Sequence, residues 1–123
     1  MRAYEKVYAW QAAHRLALEI YRKTALFPKE ERYGLTSQMR RAAVSVMSNI
    51  SEGYGRGTTK DYARFLYHSR GSLSELRSQF RLACDLNFIG KEKADEVGSF
   101  IDEAGALLHR LIESIERKVQ GKG

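Results

Sequence analysis

"SNISEGYGRG", Ser48 to Gly57, running on into "TTKDY" at Tyr62, is the stretch whose reading decides the fold. As a phosphate-cradling loop it would belong to an α/β protein; as a cap and a turn it joins two helices. A dinucleotide fingerprint needs G-x-G-x-x-G after a strand, and a phosphate loop needs G-x-x-x-x-G-K-[ST]. The glycines here give G-x-G-x-G instead, and what precedes them is a helical pattern. Upstream, Met39, Ala42, Ala43, Val46, Met47 and Ile50 recur at the helical spacing, with Thr36 as a plausible N-cap and Gly53 or Gly55 as the stop. Downstream, Thr58 with Asp61 resembles a capping box with a shortened acid. It opens a long helix carrying Tyr62, Phe65, Leu66, Leu73, Leu76, Phe80 and Ala83. The stretch is read as a cap and turn. A phosphate at the N-terminus of the following helix, beside Arg56 and Lys60, is the secondary reading.

The same period extends outward in both directions. Val7, Trp10, Ala13, Ala17, Ile20 and Tyr21 line a first helix that Pro28 ends, and "FPKEERYGL" follows as a loop. Gly90 in "NFIGKEK" is read as closing the third helix. Ala94, Val97, Ile101, Ala104, Leu108, Leu111 and Ile115 then form a heptad-like seam, and only the final "QGKG" looks frayed. The expected fold is all-α: an antiparallel up-and-down four-helix bundle forming a single domain over 1–123, with helices at 4–27, 36–54, 59–88 and 91–119. If the second and third helices turn at Gly57 and Thr58, residues whose numbers sum to about 115 lie level in such a hairpin. Ala43 is then level with Ser72, and Ser45 with Arg70 and Gly71, so close packing of small residues is the expected reason for Gly71.

The 123 residues suit one core, and 43% apolar with one Pro makes disorder improbable. No apolar run is long enough to span a membrane, and "MRAYEKVYAW" lacks a signal-peptide core, so the cytoplasm is the expected compartment. Leu16, Leu18, Tyr67, Leu82, Phe100 and Leu107 fall off the main seams, which points to self-association. Cys84 stands alone in an apolar pattern and is read as packing. His14, His68 and His109 share no ligand spacing, so no metal or cofactor is expected. Asp102, Glu103, Glu113 and Glu116 read as a solvated face, and no acid–base pair or nucleophile set supports an enzyme.

The net charge of +6 is concentrated in the middle: residues 32–81 hold 9 basic against 3 acidic groups. By level, Arg40 and Arg41 are expected beside Arg77 and near Arg81, while Arg70, Arg77 and Arg81 share one face of their helix. Arginine suits phosphate through its planar fork of donors. Tyr33, Tyr54, Tyr62 and Tyr67 interleave with this charge; Tyr54 is the expected exposed ring and Tyr62 is read as core. The opposing reading is a solvated face partly paired, Glu75 with Arg41 and Glu52 with Arg56 or Arg64. Two functions follow. One is RNA or DNA binding through Arg40, Arg41, Arg70, Arg77 and Arg81, with Arg56 and Lys60 as lesser contacts. The other is a protein-interaction scaffold in which Arg40 and Arg41 lie buried against Glu52 or Glu75 of the same or a neighbouring subunit.

The run from Tyr33 to Leu86 resembles a family of small bacterial four-helix bundles named for reading frames in intervening sequences of 23S rRNA genes. The resemblance extends from "AWQAAHRLALEIY" to the last seam. It is carried chiefly by "QMRRAA" at 38–43, "NISEG" at 49–53 and "GSLSEL" at 71–76. It implies a homo-oligomeric ring, typically a pentamer, without an established catalytic activity or site residues to transfer. More distantly, the chain is similar to the accessory variability protein of diversity-generating retroelements, a basic pentamer that binds nucleic acid and a reverse transcriptase.

Overall fold

The computed structural model describes residues 2–121; Lys122 and Gly123 of the "QGKG" end lie outside the described residues. Four helices form: α1 Tyr8–Thr24, α2 Leu35–Tyr54, α3 Thr59–Asp85 and α4 Lys91–Val119, with no strand among the described residues. Numbers that rise along one helix fall along its neighbour. Ser45 bonds Ser72 at 2.7 Å, Ser69 donates to the Val46 carbonyl at 2.7 Å, and Gly53 lies against Tyr62 and Phe65. Across α3 and α4, Tyr67 meets Glu116 and Arg77 meets Asp102; across α1 and α4, Arg15 pairs with Glu103 and Lys23 with Glu96. Helix α1 touches α2 and α4 but not α3, so the helices stand in cyclic order and α1 is diagonal to α3. This is the up-and-down bundle that short connections dictate.

Several boundaries differ from the sequence reading, each for a local reason. A 3₁₀ turn over Ala3–Lys6 and an extended Val7 precede α1, which therefore begins at Tyr8. It ends at Thr24, where tighter turns bring the Phe27 N–H to the Thr24 carbonyl ahead of Pro28. Thr36 is not a cap: Gly34 holds that place, Thr36 is buried, and the Glu31 carboxylate reaches in to accept the Leu35 N–H at 3.0 Å. Helix α2 runs through Gly53 and stops before Gly55. Thr58 caps α3 as expected, accepting the Asp61 N–H at 3.1 Å. That helix closes at Asp85 rather than 88, because Asn87 takes the left-handed conformation at φ 61°. The N–H groups of Asn87 and Phe88 then return to the Cys84 and Ala83 carbonyls, each at 3.0 Å, the double bond of a Schellman turn. Gly90 starts α4 instead of ending α3.

The core is aliphatic and fine-grained. Ala9, Ala12, Ala13 and Ala17 let α1 approach closely, while Leu16, Met39, Ile50, Leu66, Leu76, Ile101 and Leu108 fill the centre. Leu16, placed off the seam by its spacing, is 0% exposed, whereas Leu18 is 41% exposed. The acids of α4 are not merely solvated: Asp102, Glu103 and Glu116 reach neighbouring helices. Among the described residues no helix is long and apolar enough to cross a membrane.

The tightest constraint is at Gly53. A Cβ there would fall 2.8 Å from Phe65 Cβ and 2.9 Å from Tyr62 Cδ1, so glycine sets how near α2 approaches α3. Gly71 does not play this part: its added Cβ would meet nothing within 4 Å, and the small-residue contact is made by Ser45, Ser69 and Ser72. The two glycines should respond oppositely to one methyl group. Gly53→Ala is expected to cost about 1–3 kcal/mol by overpacking, and Gly71→Ala to add roughly 0.5–1 kcal/mol by helix propensity. Urea unfolding monitored by circular dichroism reads both; equal effects would refute the assignment.

Candidate nucleic-acid interface

Helix α2 begins beside the end of α1, and its first turns carry Arg40 and Arg41 in different directions. Successive residues on a helix point about 100° apart. Arg40 turns toward α1. Its Nε donates to Thr24 Oγ1 at 2.9 Å, one Nη donates to the Tyr21 carbonyl at 3.2 Å, and the guanidinium lies 4.6 Å from the Tyr21 ring centroid. It thereby adds a donor to a Tyr21 carbonyl that already accepts the Ala25 N–H, and its positive charge suits that end of the helix. Arg41 points outward, exposed, with Ser37 Oγ at 3.5 Å as its neighbour.

A third arginine joins them from the connecting loop. Arg32 follows a 3₁₀ turn over Lys29–Glu31 and sits 5.3 Å from the centroid of Tyr33, which is 85% exposed. Arg32, Arg40, Arg41, Tyr33, Tyr21 and Ser37 line one cleft of about 380 Å³. A second cleft of about 550 Å³ adjoins it, sharing Arg32, Tyr33 and Arg40 and adding Phe27, Pro28 and Lys29. None of the three arginines pairs with a carboxylate among the described residues. Three guanidiniums and two accessible rings thus share one surface. Sequence reading left Arg32 out of the candidate set. The available signal was its adjacency to Tyr33 immediately before α2, since a loop folded onto a helix start brings both to that start.

The remaining candidates lie elsewhere. Arg77 is on the side of α3 that faces α4: it bonds Asp102 at 3.0 Å, and its guanidinium occupies the space that a Cβ on Gly105 would need. Arg70 lines the same α3–α4 groove and stacks on Tyr67 at 5.1 Å. Arg81 is bound by Asp85 of its own helix at 3.1 Å. Arg40, in the α1–α2 groove, is therefore not beside Arg77 or Arg81. The level relation gives height along the bundle and says nothing about direction around it. Arg56 pairs with Glu52 at 2.9 Å and lies 4.6 Å from the Phe65 ring, while Arg64 pairs with Asp61 at 3.6 Å. Lys60 lines a groove with Tyr67 and Glu116 at the opposite end of the bundle. Within the chain, neither Glu75 nor Glu52 holds Arg40 or Arg41; Arg40 is half-buried against α1 instead.

Tyr33, not Tyr54, is the most open ring: Tyr54 is 42% exposed and packs edge-on against Tyr62 at 6.1 Å. Tyr62 is half-buried, and burial, with Tyr54 nearby, pushes its phenol up to about 12. The Tyr67 hydroxyl donates to Glu116 at 2.7 Å, a bond that raises its pKa. Burial raises the Cys84 thiol as well. Among the described residues, no three His, Cys, Asp or Glu side chains are grouped to hold a metal ion.

Comparison with known proteins places this geometry in context. The fold is similar to the crystal structure of a protein of unknown function from the S23 ribosomal protein family of Bacteroides thetaiotaomicron VPI-5482. The two superpose with a TM-score of 0.77 at 18% identity, over 85% of this chain and 95% of the other. No curated protein matches the sequence. Residues 5–110, which take in all of α1, α2 and α3 and the larger part of α4, match the family described as 23S rRNA-intervening sequence protein, and the chain belongs to that family.

Proposed function

We propose that this chain is a non-enzymatic, cytoplasmic, oligomeric bundle that binds nucleic acid, RNA or DNA, through the basic surface where α1 meets α2. One observation carries the reading: Arg32, Arg40 and Arg41 converge without a carboxylate partner, while Arg56, Arg77 and Arg81 each have one. Unneutralised arginine forks beside exposed rings suit a phosphodiester chain. Self-association is supported by Leu18, Leu26, Leu82 and Leu86, which are 41–64% exposed on a small domain. A ring, five-membered as the resemblance implies, would repeat one modest patch and raise its avidity.

The test is a salt titration of binding to labelled single-stranded RNA and duplex DNA. Wild-type affinity should fall steeply with salt, as phosphate contacts release counterions. Arg32→Gln with Arg41→Gln should weaken binding and flatten the log–log slope on single strands by about 1.4, about 0.7 for each lost contact. Unchanged affinity and slope on an intact oligomer would refute this site and favour the protein-interaction scaffold.

Arg40 serves as the folding counterpart. Its bonds to Thr24 and Tyr21 hold the ends of two helices together, so Arg40→Ala should cost about 1–3 kcal/mol. Arg41→Ala should change stability by no more than roughly 0.5 kcal/mol. Denaturant midpoints of the two variants distinguish these roles.

A further inference from the structure

Tyr33 is exposed beyond what folding requires. It is 85% accessible, yet it stands as a shared wall between the 380 Å³ and 550 Å³ clefts rather than as a loose side chain at a loop tip. Arg32 covers one face of the ring from 5.3 Å, and the exposure leaves the other face open. The floor common to both clefts is Thr36 and Arg40, and Arg40 is fixed by its two bonds to α1. Cations stand at the far sides: Arg41 in the smaller cleft, Lys29 in the larger. Both volumes fall within the roughly 300–1,000 Å³ range of clefts that take small organic groups.

We infer that the ligand of this surface is a single-stranded nucleic acid, held with one unpaired base stacked on the open face of the Tyr33 ring. The inference rests on the nucleic-acid reading above and names the form of the ligand. The phosphate beside that base meets Arg32, and the strand continues along the clefts toward Arg41 on one side and Lys29 on the other. Bases inside a duplex are stacked on each other and cannot turn their faces to a protein ring, so a projecting aromatic wall serves only an unpaired strand. Phosphate alone would use the arginines and leave Tyr33 without a role.

The experiment compares Tyr33→Ala, Tyr33→Phe and the Arg32→Gln, Arg41→Gln double variant of the full chain. The probes are a twelve-nucleotide single-stranded RNA, the DNA of the same sequence, the corresponding duplex, and inorganic polyphosphate. Tyr33→Ala should weaken both single strands by roughly fivefold or more, the lower end of ring–base stacking. Tyr33→Phe should bind like wild type, and polyphosphate affinity should ignore Tyr33 altogether. The double arginine variant should lose all four probes. If Tyr33→Ala binds single strands unchanged while the arginine variant loses them, the stacking inference is overturned and the nucleic-acid reading stands. Duplex binding as tight as single-strand binding also overturns it. If the arginine variant binds everything as wild type does, both readings fail.

Discussion

The bundle depends on how closely α2 and α3 approach. Gly53 admits Tyr62 and Phe65 beside the turn of this hairpin, and Ser45, Asn49, Ser69 and Ser72 form a polar seam along it. Ser69 is fully buried, and its hydroxyl would be costly there without the Val46 carbonyl to receive it. Small residues bring the two backbones together, and the hydroxyl bonds fix one register. With α3 held at that register and rotation, Arg77 must face α4 and the outer side of α2 is left to Arg41.

Pairing, more than number, then determines what the basic charge can do. The ion pairs of Arg77, Arg81 and Arg56 are exposed and stabilise the fold very little. Their effect is to cancel charge locally. Lys23 is also accounted for: its bond to Glu19, aided by Glu96, raises its pKa, and the same contacts with Arg22 and Lys23 lower that of Glu19. At the corner where the loop of Arg32 folds against the start of α2, three arginines remain without such a partner. Charge counted along the sequence locates the basic segment; the pairs, two of them local and one between α3 and α4, show which arginines are neutralised.

The helical period was enough to place four helices and their order, because a stripe repeating at three and four has no other periodic structure to occupy. It located Thr58 as a cap correctly, since that bond is local. It failed where the deciding contact was distant. Gly53 and Gly71 look alike in sequence, and only the approach of Phe65 separates them. Asn87 ends α3 in a conformation usually given to glycine, while the glycine at 90 precedes α4. Arg40 and Arg41 are adjacent in sequence and line one cleft, yet one is held against α1 and the other faces solvent. Height along a bundle follows from counting residues. Direction around a helix follows from what the core needs: of Leu16 and Leu18, both off the seam by spacing, Leu16 is taken into the core and Leu18 stays at the surface.

The antiparallel arrangement also shapes the electric field around this corner. Helices α1 and α3 end where α2 and α4 begin, so opposed macrodipoles largely cancel across that end of the bundle. The attraction exerted there comes from side chains alone. In physiological salt it fades over about 8 Å. Beyond that distance the attraction is largely screened, so it guides a strand chiefly over the last stretch of its approach.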